Sequence, residues 1–295
     1  MLNSKNKWFG WQIQAGQNYN EGYQRTNFRN ENVVLSKNVS DRINRFYFFK
    51  TGLKFDFKKD RLLVNYDFST SNNNALVDAS GVGFQSSDKS NNELDRNDVA
   101  INYQKRFTDK SKKLDFRFNA NSVKNDFELM NRTSGNSVLD NGFNQLFYQF
   151  KTDYSQDLSV LDKTKFSSGI LADKLEFEAL NLGVTNLDYQ RTTLSAYSEF
   201  QTSYNKFDFI MGGRLESYSI TGNTDSAKLI PFKQTRFFPN ATLQYNIIPQ
   251  VFVNANYNKK ISLPNTSALN PNNTSYQNPN VSIFGNPNLE PTIFD

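Results

Sequence analysis

The stretch Leu62-Leu63-Val64-Asn65-Tyr66-Asp67-Phe68-Ser69 decides the fold. In an extended chain Leu62, Val64, Tyr66 and Phe68 fall on one face, and Asn65, Asp67 and Ser69 on the other. A period of two marks a half-buried strand, because successive side chains point to opposite faces. The same split recurs along the chain. Leu114, Phe116, Phe118 and Ala120 alternate with Asp115, Arg117, Asn119 and Asn121. Ala241, Leu243, Tyr245 and Ile247 alternate with Thr242, Gln244 and Asn246, and Val251, Val253, Ala255 and Tyr257 with Phe252, Asn254, Asn256 and Asn258. Helical spacing fits none of these runs.

Outward from each run, the connections are of two kinds. Short polar turns fall near Lys58-Lys59-Asp60, Thr108-Asp109-Lys110-Ser111, Ser155-Gln156-Asp157, Asn205-Lys206 and Pro249-Gln250, at intervals that read as one architectural repeat. Between them lie long stretches rich in Asn, Ser, Asp and Gly, expected as loops over 72–96, 123–143, 219–236 and 263–284. Strands are expected near 7–19, 42–57, 61–71, 97–107, 113–122, 144–154, 164–172, 189–203, 206–218, 238–247 and 251–262. Thr292-Ile293-Phe294-Asp295 reads as the start of a twelfth strand that is cut off.

Strands of about ten residues with alternating faces, short turns at one end and long loops at the other, form the pattern of a transmembrane β-barrel. In lipid every backbone amide needs a partner, so the sheet must close; its outer face is apolar, and a wide lumen tolerates polar side chains. The composition agrees. Only 37% of the 295 residues are hydrophobic and the mean hydropathy is −0.68, yet there are 27 Phe and 14 Tyr, too many aromatics for a disordered chain. A soluble β-sandwich would need apolar inner faces on two sheets, and here the polar faces have no apolar counterpart. The expected fold is therefore an all-β, antiparallel transmembrane barrel.

Aromatics stand where an interfacial girdle should run. Phe57, Phe107, Tyr154 and Tyr204 each precede a short turn, and Trp8 and Trp11 flank the first strand. The fifth turn, entered through Ile247-Ile248, breaks the rule.

The same composition excludes much chemistry. With neither cysteine nor histidine there is no disulfide, no thiol or histidine catalysis, and no metal site built on those ligands. The carboxylate pairs Glu176/Glu178 and Asp56/Asp67 read as lumen or loop charges rather than glycosidase acids. Asp88, Glu93, Asp95 and Asp98 fit no calcium-loop spacing, and Ser80-Gly81-Val82-Gly83 has no strand-to-helix context that would make it a phosphate cradle. No enzymatic activity, metal or cofactor is expected. The 34 Lys+Arg against 29 Asp+Glu form no cationic run, which argues against nucleic acid as a partner. Arg117 and Arg214 are expected in the lumen, where they would steer anions or, on the favoured reading, pair with acids of a plug. Met1-Leu2-Asn3-Ser4-Lys5-Asn6-Lys7 lacks the apolar core of a secretory signal.

The C-terminal third carries a sharper signal. Phe237-Phe238-Pro239-Asn240 leads to Asn256-Tyr257-Asn258-Lys259-Lys260-Ile261-Ser262-Leu263-Pro264, then to Leu269-Asn270-Pro271, and finally to Gly285-Asn286-Pro287-Asn288-Leu289-Glu290-Pro291. Gly212, Arg214 and Glu216 form a further motif. Together these resemble the barrel of TonB-dependent outer-membrane receptors, of the Bacteroidota-type outer-membrane β-barrel family. Leu263 stands where that family usually has arginine, and Thr292 where it usually has an acid. The resemblance implies a bacterial outer-membrane protein, embedded in outer-membrane lipid, that binds and imports a large solute such as an iron chelate, a glycan or a peptide. It also implies a barrel of about 22 strands, energised by TonB acting through a plug. On that reading residues 1–295 form a partial barrel domain, with the plug and the closing strands outside the chain. A surface lipoprotein is a candidate further partner. A structural barrel in an outer-membrane assembly, without transport, is the alternative. The ligand-contact residues are not legible from the motifs.

Overall fold

A computed structural model of the chain describes residues 2–30, 33–131, 137–272 and 283–294. Twelve strands form one antiparallel sheet in simple sequence order. They are β1 (Leu2–Lys5), β2 (Phe9–Asn30), β3 (Val33–Phe57), β4 (Asp60–Gly81), β5 (Phe84–Arg106), β6 (Lys112–Asn131), β7 (Ser137–Leu158), β8 (Asp162–Asn181), β9 (Val184–Tyr204), β10 (Phe207–Thr224), β11 (Phe232–Ile248) and β12 (Val251–Asn258). A short β13 (Lys260–Ser262) pairs with β14 (Thr292–Phe294), and a single helical turn, α1 (Thr266–Leu269), lies between them.

The register aligns the apolar positions. Trp11, Leu53, Val64, Ile101, Phe118, Phe150, Ala172 and Leu194 are successive cross-strand partners, one apolar rung running from β2 to β9. The rungs below it continue the apolar face, and Phe118, Phe150 and Leu194 stand well exposed on the sheet, as suits a surface that meets lipid. A run of about nine residues rises ~30 Å, and the usual tilt of barrel strands brings this to ~23 Å, the height of the outer apolar band of such barrels. The opposite face at this level carries Lys54, Asp56, Arg61, Asn102, Arg117, Lys151 and Asp153.

Above this band the pattern inverts. On β4 the even residues Leu62 to Phe68 face outward, whereas higher up it is the odd residues Ala75, Val77 and Ala79 that are apolar, and they are buried. Phe127 and Leu129 on β6, and Leu175, Phe177 and Ala179 on β8, repeat the change. Each strand is continuous through it, so the side chains keep their faces and the apolar character moves from the lipid side to the lumen side.

This inversion accounts for a difference from the sequence reading. The long segments sit at the expected end, but 72–81 and 84–96 are strand rather than irregular loop, joined through Val82-Gly83 with Gly83 at φ 79°. Leu182-Gly183 makes a similar tight turn between β8 and β9, both residues at positive φ. Polar outward residues at these heights meet water, so the stretches look loop-like in composition while their inward residues build a core. Within the expected loops 123–143 and 263–284, the stretches 132–136 and 273–282 lie outside the described residues, as does Asp295. The turn expected at Ser155-Gln156-Asp157 also moves. β7 runs on to Leu158, because Gln156 pairs with Lys112 and Leu158 with Thr164.

Among the described residues, the sheet is not closed on itself. β1 covers only Gly10–Ile13 of β2, and β12 is the opposite edge. Lipid has no hydrogen bonds to offer such edges.

The two faces should respond oppositely to charge. Phe118→Arg should destabilise the intact protein by about 2–4 kcal/mol in urea titrations on lipid vesicles, and Asn102→Lys, on the lumen face of β5, by under about 1 kcal/mol. Equal costs would show that the faces are assigned wrongly.

Candidate functional site

Three features of the inner wall stand out: a ladder of charge pairs, a buried apolar cluster above it, and a hairpin from the C-terminal part of the chain folded against both. The ladder begins near the short turns. Asp56 bridges Lys54 (2.7 Å) and Arg61 (2.8 Å), and Lys50 meets Asp67 at 3.3 Å. Lys113 meets Asp115 at 2.8 Å, and Asp153 takes Arg117 (3.4 Å) and Lys151 (3.1 Å). Each of these cations thus has an acid of the wall beside it, six cations sharing four acids, and Arg117 shares Asp153 with Lys151. Partly exposed pairs of this kind add little stability individually; with two more cations than acids, they leave this part of the lumen wall polar and mildly positive.

Arg214 is matched in the same way, by Glu216, and its guanidinium carbon lies 5.6 Å from the centre of the Phe238 ring. Gly212, two residues earlier, has a separate role. Asn240 on β11 donates to Glu199 on β9 at 3.1 Å, so its side chain crosses the intervening strand at Gly212. A Cβ there would sit 2.7 Å from Asn240 Oδ1. Glycine is what lets the cross-link form.

Higher up, Leu175, Phe177, Ala179, Leu187, Tyr189, Ile220 and Leu229 form the buried cluster, with Phe143, Phe147 and Phe232 packed against it. Burial pushes the Tyr189 phenol above its ordinary pKa. The remaining member of the cluster, Leu269, comes from α1 and is fully buried. The chain leaves the wall after β12: Lys259 N–H donates to Pro239 O at 3.2 Å, and residues beyond it lie across the inner face. Thr266 Oγ1 donates to Gln145 Oε1 at 3.0 Å, and Asn272 Nδ2 to Leu180 O at 2.6 Å. Asn265 caps α1 through Ala268 N–H at 2.7 Å.

The two C-terminal motifs clasp each other. Gly285 N–H donates to Asn270 O at 2.7 Å and Asn286 N–H to Ala268 O at 2.8 Å. A Cβ on Gly285 would lie 2.5 Å from Ala268 O and 2.6 Å from Asn270 O, so only glycine allows the approach. Pro287 and Asn288 turn the chain, with Leu289 N–H donating to Asn286 O at 3.2 Å, and Pro291 leads into β14, which closes the base against β13. Pro264 leads out of β13 toward α1, and Pro271 follows Asn270. Leu269, Asn270, Gly285 and Asn286, which the sequence marked only as motif, thus meet in one small structure.

The aromatics Trp8, Phe57, Phe107 and Tyr204 lie at the short-turn end, with Trp8 at 59% and Tyr204 at 58% exposure. Trp11 sits one step up, opposite Leu53, and Tyr154 is four residues short of the end of β7, its hydroxyl donating to Gln156 at 2.8 Å. In the adjoining turn, the Ser111 hydroxyl and backbone amide, with Lys112 beyond them, hold the Asp109 carboxyl below its usual range.

The acid pairs are dispersed. Glu176 and Glu178 face outward above the apolar band, the first beside Lys174 and the second 3.5 Å from Asn144. Asp88 is buried and accepts from Ser86 (2.6 Å) and Asn131 (2.9 Å). Among the described residues no three acidic side chains come together as a metal site would need.

Residues 105–295 match the family model described as the outer membrane protein beta-barrel family. No curated protein sequence matches the chain. Among solved structures, Pseudomonas aeruginosa FpvA bound to a heterologous pyoverdine aligns with a TM-score of 0.63 at 12% identity, over 97% of this chain and 45% of that one. The ferripyoverdine receptor of the outer membrane of Pseudomonas aeruginosa bound to ferripyoverdine gives 0.61 at 12%, over 88% and 43%. The alcaligin outer-membrane receptor FauA from Bordetella pertussis gives 0.51 at 11%, over 88% and 44%. The chain therefore spans less than half the length of these structures.

Gly285→Val should break the clasp at a cost of about 1–3 kcal/mol. Trypsin should then cut faster at Lys259 and Lys260, with the rest of the barrel as resistant as before; unchanged cleavage would mean that the clasp does not hold the hairpin.

Proposed function

Because this chain belongs to the outer membrane protein β-barrel family and resides in the bacterial outer membrane, we propose that it forms part of the barrel of a TonB-dependent receptor importing a solute too large for passive diffusion. The observation that carries this reading is the double character of the sheet: apolar toward lipid, and polar and charged toward a wide interior. FpvA, whose fold it shares, is bound to a pyoverdine and FauA is an alcaligin receptor, which supports a receptor role for this chain.

Further strands, from outside residues 1–295, complete the barrel by pairing with β2 and β12, since unpaired edges in lipid are costly. A plug within that barrel faces the charge ladder and transmits the pull of TonB. Trp8, Trp11, Phe57, Phe107, Tyr154 and Tyr204 form the girdle at the periplasmic interface, their rings lodged among the headgroups.

A deletion strain supplied in turn with ferric siderophores, oligosaccharides and peptides as limiting nutrients tests the reading. Growth should fail on one class, and loss of TonB should reproduce the same failure. A strain that grows on all of them but shows disturbed outer-membrane assembly would assign a structural role instead.

A further inference from the structure

We infer that a layer of ordered water is bound between the C-terminal hairpin and the wall of β8–β11, joining the cavities on either side of the hairpin. The path of the hairpin sets the place. Lys259 N–H bonds Pro239 on β11 and Thr266 bonds Gln145 on β7, so residues 260–265 cross β10, β9 and β8 on their inner face. A cavity of about 400 Å³ reaches Ser195 and Glu216 beside Lys259, and one of about 790 Å³ reaches Leu175 and Arg191 beside Ile261 and Leu263. Thr193 and Tyr218, cross-strand partners, stand between the two.

The wall under this crossing is polar, and the protein does not satisfy it. Asp173, Thr193, Tyr218 and Gln234 form one rung of successive cross-strand partners, with Arg191 one rung above and Arg236 one rung below. Tyr218 is 1% exposed, yet its hydroxyl has no protein partner. Nor have the buried atoms Asp173 Oδ1, Gln234 Oε1, Arg191 Nε and Arg236 Nε. Glu216, beside Arg236, is taken by Arg214. The hairpin does not supply the missing bonds. Over Lys260–Ser262 its backbone pairs with β14, and the side chains it sets against the larger cavity include the apolar Ile261 and Leu263. Left dry, each of these atoms would cost at least as much as a lost hydrogen bond.

The unmet groups are two donors, two acceptors and a hydroxyl that does both. An anion would satisfy only the donors, and a metal ion only the acceptors. Water satisfies all of them within one layer, and it enters behind a hairpin whose bonded ends bar a larger molecule. The middle of the hairpin then rests on exchangeable water. Its hold comes from its ends and from Leu269 in the buried cluster rather than from contact along its length.

Two measurements on the intact protein test this. A crystal structure should show water within hydrogen-bond distance of the Tyr218 hydroxyl, Gln234 and Asp173. Those atoms bonded to one another, covered by another protein segment, or dry would overturn the inference. In solution, hydroxyl radicals generated by X-rays from bound water should oxidise Tyr218 about tenfold faster than Phe177, which is as deeply buried but lies in the apolar cluster. Protection of Tyr218 equal to that of Phe177 would overturn it. So would oxidation seen only in Gly285→Val, whose broken clasp lets the hairpin lift; heat-modifiable migration on gels checks that this variant is folded. Equal oxidation of Tyr218 in both proteins is the expected result.

Discussion

The pairing of the backbone in lipid is the constraint on which everything else in this molecule depends. A peptide group in hydrocarbon has no water to bond, so the chain must satisfy it within a sheet. An antiparallel sheet in simple sequence order does this with the shortest connections available. Its geometry also divides each strand into two independent sets of side chains. The rung from Trp11 to Leu194 belongs to one set and the ladder from Lys54 to Asp153 to the other. Lipid and lumen are therefore selected separately in one sequence, and polar content can be high without harming insertion.

Where the strands leave the membrane, the same geometry is put to a second use. Water now bathes the outer face, so Asp78, Asp126 and Glu178 are acceptable there, and the inner set is free to become apolar. The cluster around Phe177 and Tyr189 is the result. It gives the hairpin a surface on which Leu269 docks, and so decides where the C-terminal segment lies. The polar ladder below and the apolar cluster above meet at the level of Asn121 and Phe147, which are cross-strand partners.

Much of this could be read in the sequence, and the parts that could not have a common cause. Alternation in Leu62–Ser69 and Leu114–Asn121 identified the membrane strands, because both faces there differ strongly in polarity. Ala75, Val77 and Ala79 alternate just as regularly, but they are small and their neighbours are Asn, Asp and Ser, so the composition spoke for a loop. The cue was the change of phase from even to odd positions. The motif residues from Leu269 to Pro291 were recognisable, yet their contact was not: that Gly285 abuts Ala268 and Asn270 is a fact of tertiary approach, with no local periodicity to announce it. For the meeting of Asn121 with Phe147 on the inner wall the obstacle was register. Nothing local to each strand says which residue of the next stands beside it.

The tight turn at Val82-Gly83 has a consequence for how this surface can be recognised. A stretch such as 72–96 is antigenically a pleated ribbon, not a flexible peptide, and every second side chain of its upper half is turned away from the outside. An antibody raised against the linear peptide would learn residues that the folded protein hides and miss the spacing of those it displays. Recognition of this surface calls for binders that match strand geometry, and escape from them requires changing outward residues only, at no cost to the core behind.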